Sequence, residues 1–178
     1  MVWFRKGKER ASQQLALYYT SDIHGSERCF LKFLNAAKFY NVNTLILGGD
    51  LTGKVLVPIV EVDGHWEMTF LGRHEVLRTL EEVTEAEKRI RFNGFYPYRC
   101  TPDELARMEA DRAYADRVFR QVMRDSVERW VRLAEERLRG TGVRCFVMPG
   151  NDDEFEIDEV LAGSDVVVNP DGAIVEID

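Results

Sequence analysis

The chain has 178 residues, 45% of them hydrophobic and 31% charged, with a formal net charge of −7. This length and balance fit one globular domain with room for a sizeable core, and they exclude disordered, collagen-like and low-complexity scaffolds. No apolar run approaches the ~18 residues that span a bilayer, and residues 141–178 hold ten acids against one arginine, so neither a membrane nor duplex nucleic acid is an expected partner.

The start, Met1 to Arg10, carries no apolar stretch of the kind a signal peptide needs. Leu15 to Tyr19 then reads as a buried strand, followed by the polar loop Thr20-Ser21-Asp22-Ile23-His24-Gly25. Ser26 suits the N-cap of a helix whose Phe30, Phe33, Leu34 and Ala37 recur at helical spacing. Thr44 to Leu47 is a second buried strand and runs straight into Gly48-Gly49-Asp50-Leu51-Thr52-Gly53. Strand, loop, helix, strand, loop predicts a parallel α/β sheet with polar loops at the strand C-terminal ends. Val55 to Val62 and Trp66 to Leu71 flank Asp63-Gly64, a hairpin signal, and Pro58 places the first arm at a sheet edge or a bulge. Residues 75–90 read as a helix, and Phe92 to Tyr98 as an aromatic-rich loop.

Thr101 at N-cap, Pro102 at N1 and Glu104 at N3 open the next helix, whose apolar stripe keeps helical phase to Leu138. A single helix over 102–140 offers a packing face, against the core or against a second subunit. Arg144 to Met148 is a strand leading into Pro149-Gly150-Asn151-Asp152-Asp153. A short helix over 156–161 follows, then strands at Val166 to Val168 and Ala173 to Ile177 about the turn Asn169-Pro170-Asp171-Gly172.

Three apolar strands thus each end in a loop bearing oxygen or nitrogen ligands: Asp22 and His24, Asp50, and Asn151 with Asp152 and Asp153. In a parallel sheet these loops converge on one edge. Carboxylates gathered there repel one another unless divalent cations lie between them, and a carboxylate such as Asp50 can bridge two ions about 3.5–4 Å apart. The imidazole favours Mn, Fe, Zn or Ni over Mg or Ca.

Taken in order, Asp22-x-His24, Gly48-Gly49-Asp50 and Gly150-Asn151-Asp152-Asp153 resemble the first three signature motifs of the calcineurin-like metallophosphoesterases, a resemblance that covers residues 15–53 and 143–178. It implies an αββα sandwich and a centre of two divalent metals, manganese favoured, that hydrolyses phosphomonoesters or phosphodiesters of a small molecule or nucleotide. On it, Asp22 and His24 would bind one metal, Asp50 would bridge both, and Asn151 would bind the second. Asp152 stands where many members have a catalytic histidine, and a role in catalysis is expected of it. The family pattern continues into later histidines, whereas no histidine follows His74 here; His65 and His74 are expected on the surface or the hairpin. The chain therefore reads as a partial form of the fold, incomplete at its C-terminus, weak or inactive alone, and open to completion by a complementing chain.

The expected layout is one domain over 1–178, with a core of 11–53 and 141–178 and a hairpin-plus-helices insertion at 54–140. That insertion is either a cap that selects substrate, with Tyr96, Tyr98 and Arg99 available to it, or a homo-oligomer arm built on the long helix. The second alternative makes the chain a non-catalytic interaction module. Three scattered cysteines, Cys29, Cys100 and Cys145, favour a reducing cytoplasm over a disulfide framework.

Overall fold

The computed structural model describes residues 15–177. The expected core boundary at residue 11 and the charged start Met1 to Arg10 lie outside the described residues. Among the described residues the fold is mixed α/β, with five helices and two four-stranded sheets.

The first sheet is wholly parallel: β1 (Leu17–Thr20), β2 (Thr44–Gly48), β7 (Arg144–Met148) and β8 (Val167–Val168) lie side by side in that order. Tyr18, Leu45, Cys145 and Val167 share one face by register. Against that face pack α1 (Glu27–Tyr40), α4 (Arg112–Leu138) and α5 (Glu156–Ala162), supplying Phe33, Trp130 and Ile157 to one apolar cluster. The other face shows Leu17, Tyr19 and Val168 to solvent. The first strand is consequently an edge strand covered on one face, with Tyr19 58% exposed, and not the buried strand its aromatic composition predicts.

The second sheet is built entirely within 54–140. Its order is β5 (Arg73–Leu77), β4 (His65–Phe70), β3 (Leu56–Val62), β6 (Tyr96–Cys100). Asp63 and Gly64 both have positive φ, 47° and 81°, as a type I′ hairpin turn requires. Pro58 nevertheless sits in an interior strand, between β4 and β6. The β3–β4 ladder begins only at Ile59↔Met68, so Pro58 lies where β4 asks for no N–H. The helix expected at 75–90 is instead β5 followed by α2 (Leu80–Phe92). Thr79 and Glu82 form a complete capping box that fixes where the helix starts, and the residues before it pair with β4. The expected aromatic loop contains β6, in which Pro97 is tolerated because this strand is the sheet edge.

The helix predicted over 102–140 is two helices, α3 (Pro102–Ala110) and α4. Asp111 separates them with φ −123° and ψ 96°; its N–H bonds Arg107 O while its carboxylate accepts from Tyr114 N at 3.0 Å. One aspartate thus caps the end of α3 and the start of α4. The stripe of α4, including Met123, Val127, Trp130 and Ala134, is buried in the core of this chain and is not left for a subunit contact. Residues 173–177 form no strand, and Asn169 to Gly172 make a turn without a hairpin: Asn169 Oδ1 accepts from Asp171 N at 3.1 Å. The short β8 pairs with β7 instead.

The acids of the last segment are partly answered by α4. Arg120 pairs with Glu156, Arg124 with Glu159, and Arg139 grips Asp165 with two hydrogen bonds of 2.5 and 2.7 Å. No helix among the described residues is long and apolar enough to cross a membrane.

Candidate metal centre

The loops after β1 and β2 run side by side past the ends of their strands. Asp22 N donates to Gly49 O at 3.1 Å, His24 N to Asp50 O at 3.0 Å, and Gly25 N to Leu51 O at 2.7 Å. This extension brings ligand atoms of Asp22, His24 and Asp50 within 4.8 Å of one another. All three residues are left-handed, with φ of 56°, 42° and 49°. Non-glycine residues adopt this region rarely, at a cost of order 1–3 kcal/mol each, and such strain gathers at functional sites. Asp22 and His24 are exposed and Asp50 is half-buried, so the cluster is open to ligand from solvent.

The loop after β7 completes the arrangement. Asp152 N donates to Asp50 Oδ1 at 3.3 Å. Asn151 sits exposed in the same loop, next to Gly150. A Cβ on Gly150 would collide with Asp50 Oδ1 and with its backbone nitrogen, so only glycine lets this loop approach the aspartate so closely. The Asp152 side chain turns to Lys54, whose ammonium bonds the Asp152 carbonyl and lies 3.2 Å from Oδ2.

Asp153 is the residue whose part the sequence hides. Its carboxylate accepts four hydrogen bonds, from Leu51 N (2.9 Å), Thr52 N (2.8 Å), Thr52 Oγ1 (2.6 Å) and Gly150 N (2.8 Å). Burial alone raises this carboxyl, but the Thr52 hydroxyl and the three N–H groups outweigh burial and hold it below its ordinary value. It clamps the loop that carries Asp50 to the loop that carries Asn151. Asp153→Ala strands three backbone donors and is expected to cost about 2–4 kcal/mol in a denaturant titration. Since the folded state depresses this pKa, the contribution is complete above the unfolded-state value. It is lost as pH falls below about 4 and through the folded value, and the acid limb of a stability profile should flatten in Asp153→Asn.

The insertion supports the site from beneath. Ser26 Oγ donates to Phe92 O at 2.9 Å, and Gly53 N donates to the buried Tyr96 hydroxyl at 2.8 Å. Gly94, with φ 86°, lies against the His24 carbonyl so closely that a Cβ there would overlap it. Glu27 adds a charged tie: it pairs with Arg129 of α4 at 2.8 Å and lies 3.8 Å from Arg91 of α2. Burial, then Arg129, lowers the pKa of Arg91 against the pull of Glu27 and Glu87.

The residues expected to meet substrate from the insertion are committed elsewhere. Arg99 is held by Glu87 at 2.6 Å, Tyr96 is buried as the brace under Gly53, and Tyr98 lies near Glu104 and Tyr114. His65 and His74 lie in the second sheet against Glu67, at 3.0 and 3.5 Å. Burial pushes the thiols of Cys100 and Cys145 up to about 11 and about 12, so both are neutral thiols at neutral pH. A cavity of about 950 Å³ opens at the opposite end of the first sheet, beside Asn43 and Val143, away from these loops.

The donor set fits a divalent cation: two carboxylate oxygens and an imidazole, on strained loops, with mutual repulsion that a cation relieves. Compared with family models, with curated proteins and with solved structures, the chain matches none.

Proposed function

We propose that this chain is a metal-dependent phosphoesterase, hydrolysing phosphomonoesters or phosphodiesters, with the motif resemblance to calcineurin-like metallophosphoesterases as its sequence basis. The observation that carries the reading is the convergence of Asp22, His24 and Asp50 within 4.8 Å at the C-terminal edge of a parallel sheet, all three in left-handed backbone. On this reading Asp22 and His24 would hold one cation, Asn151 a second, and Asp50 would serve both, manganese being the favoured metal. Such cations, when bound, lower the pKa of a coordinated water and offset the charge that builds on the phosphoryl oxygens.

The chain's own residues hold and orient. Asp153 fixes the loops that carry Asp50 and Asn151 at a set separation, which is the preorganisation a phosphoryl-transfer site needs. Asp152 holds Lys54, placing an ammonium beside the Asp50 loop. On the other face of the first sheet Leu17, Tyr19 and Val168 are exposed while Thr44 and Phe146 are buried, and the second layer of an αββα sandwich would pack against the exposed residues. Free thiols at Cys29, Cys100 and Cys145 suit a reducing cytoplasm.

The test is calorimetric titration of Mn²⁺ into the protein beside an assay with an aryl phosphate. Micromolar binding with metal-dependent release of phosphate is expected. Absence of binding at millimolar Mn²⁺ would sink the reading.

A further inference from the structure

A second cavity, of about 520 Å³, is lined in part by residues that follow Asp50 and Asn151 in their loops, Thr52 with Lys54 and Glu154. Its near wall is Thr52 and Lys54. The first is bonded to Asp153 and the second to Asp152, whose N–H in turn donates to Asp50 Oδ1, so the wall belongs to the loops that carry the site. Its far wall is apolar: Leu56 and Pro58 of β3 face Leu105 and Met108 of α3 and Phe119 and Met123 of α4. A space of this size with mostly apolar walls matches the sites that hold ring-sized organic groups.

The charged lining of the cavity is mainly acidic, three carboxylates against Lys54. Glu109, Asp116 and Glu154 stand around it, all exposed and none ion-paired among the described residues. The ammonium of Lys54 is directed to Asp152. An apolar cleft edged with unpaired carboxylates attracts a cation or an N–H donor and repels a second phosphate or a carboxylate.

We propose that this cavity receives the alcohol portion of the phosphate ester, and that this portion is a compact aromatic body bearing an amine. The proposal rests on the phosphoesterase reading and adds the substrate class to it. Polyanionic esters, nucleoside diphosphates among them, fit poorly in this orientation.

Two measurements separate the proposal from the reading beneath it. Metal-free protein is titrated with 4-(aminomethyl)phenol, with 4-methylphenol and with 4-hydroxybenzoate, followed by amide chemical shifts. The amine should perturb Thr52, Leu105 and Phe119 and bind at least threefold tighter than the neutral phenol, with the carboxylate tenfold weaker than the amine. Ala115→Phe, which fills the cavity from α4, should weaken the amine about tenfold. The surface pair Glu109→Gln and Asp116→Asn should abolish the preference while leaving the neutral phenol bound. Equal binding of all three phenols, or indifference to these variants, overturns the proposal. In the second measurement 4-(aminomethyl)phenyl phosphate is assayed with Mn²⁺ against phenyl phosphate and 4-carboxyphenyl phosphate. Hydrolysis of all three at one rate removes the cavity's role and leaves the phosphoesterase. Amine binding without hydrolysis of any of them removes the phosphoesterase and with it the assignment of the cavity to a leaving group.

Discussion

Asp50→Asn should reduce Mn²⁺ affinity by at least ~100-fold, since a ligand costs more to lose than the outer partners whose removal costs about 10–100-fold. Phosphate release should fall below detection with it. The fold should survive, because the side chain's hydrogen bond in the protein is the 3.3 Å contact from Asp152 N, which an asparagine oxygen also accepts. Without metal the variant should melt higher than the wild type. Two carboxylates and an imidazole share a space of 4.8 Å, and neutralising one carboxylate relieves their repulsion. A rise of about 2 °C is expected from a gain below 1 kcal/mol in a chain of this size. With saturating metal the order reverses, since ligand at 100 times its Kd adds about 2.7 kcal/mol to the protein that binds it. Thermal melts with and without Mn²⁺ therefore cross. Parallel shifts in both conditions would show that Asp50 does not touch a cation.

Gly94→Ala should be the most damaging small change in the insertion. Its φ of 86° alone costs an alanine about 1 kcal/mol, and the new Cβ overlaps the His24 carbonyl. Together with the repacking this forces, about 2–4 kcal/mol is expected, or a drop of ~5–15 °C in Tm. The control is Gly64→Ala in the hairpin, which has φ 81° but open space around it. It should pay the backbone term alone. The two variants also part in metal affinity: the first displaces the peptide that carries His24, the second lies in the far hairpin. Equal losses in both would mean that the insertion does not hold the site.

Elements whose signals are local are legible in the sequence. Ser26 and Thr101 cap the helices they precede, Asp63-Gly64 turns the hairpin it flanks, and each site loop follows directly from an apolar strand. The second sheet is harder to read. Arg73-His74-Glu75-Val76-Leu77 has little apolar pattern and is a strand because β4 lies alongside it, which no window around residue 75 contains. Pro97 argues against a strand until β6 is known to be an edge. Asp111 keeps its place in a helical stripe, and only its own side chain, bonded to Tyr114 N, reveals the break. The clamp by Asp153 and the approach of Gly94 to His24 join residues far apart in the chain, so composition and spacing carry no trace of them.

The bond from Asp152 to Asp50 spans 102 positions, and the strand that carries it, β7, pairs with β2 only after the whole insertion has been laid down. The second sheet, by contrast, draws on neighbours in sequence and has its ladders within 56–100. A chain emerging from the ribosome thus owns Asp22, His24 and Asp50 early, while the carboxylate that quiets Leu51 and Thr52 arrives late. Contacts formed beyond the folding barrier appear in the unfolding rate. Cations held at loops that close beyond that barrier would lengthen the life of the folded molecule and leave the speed of its formation nearly unchanged.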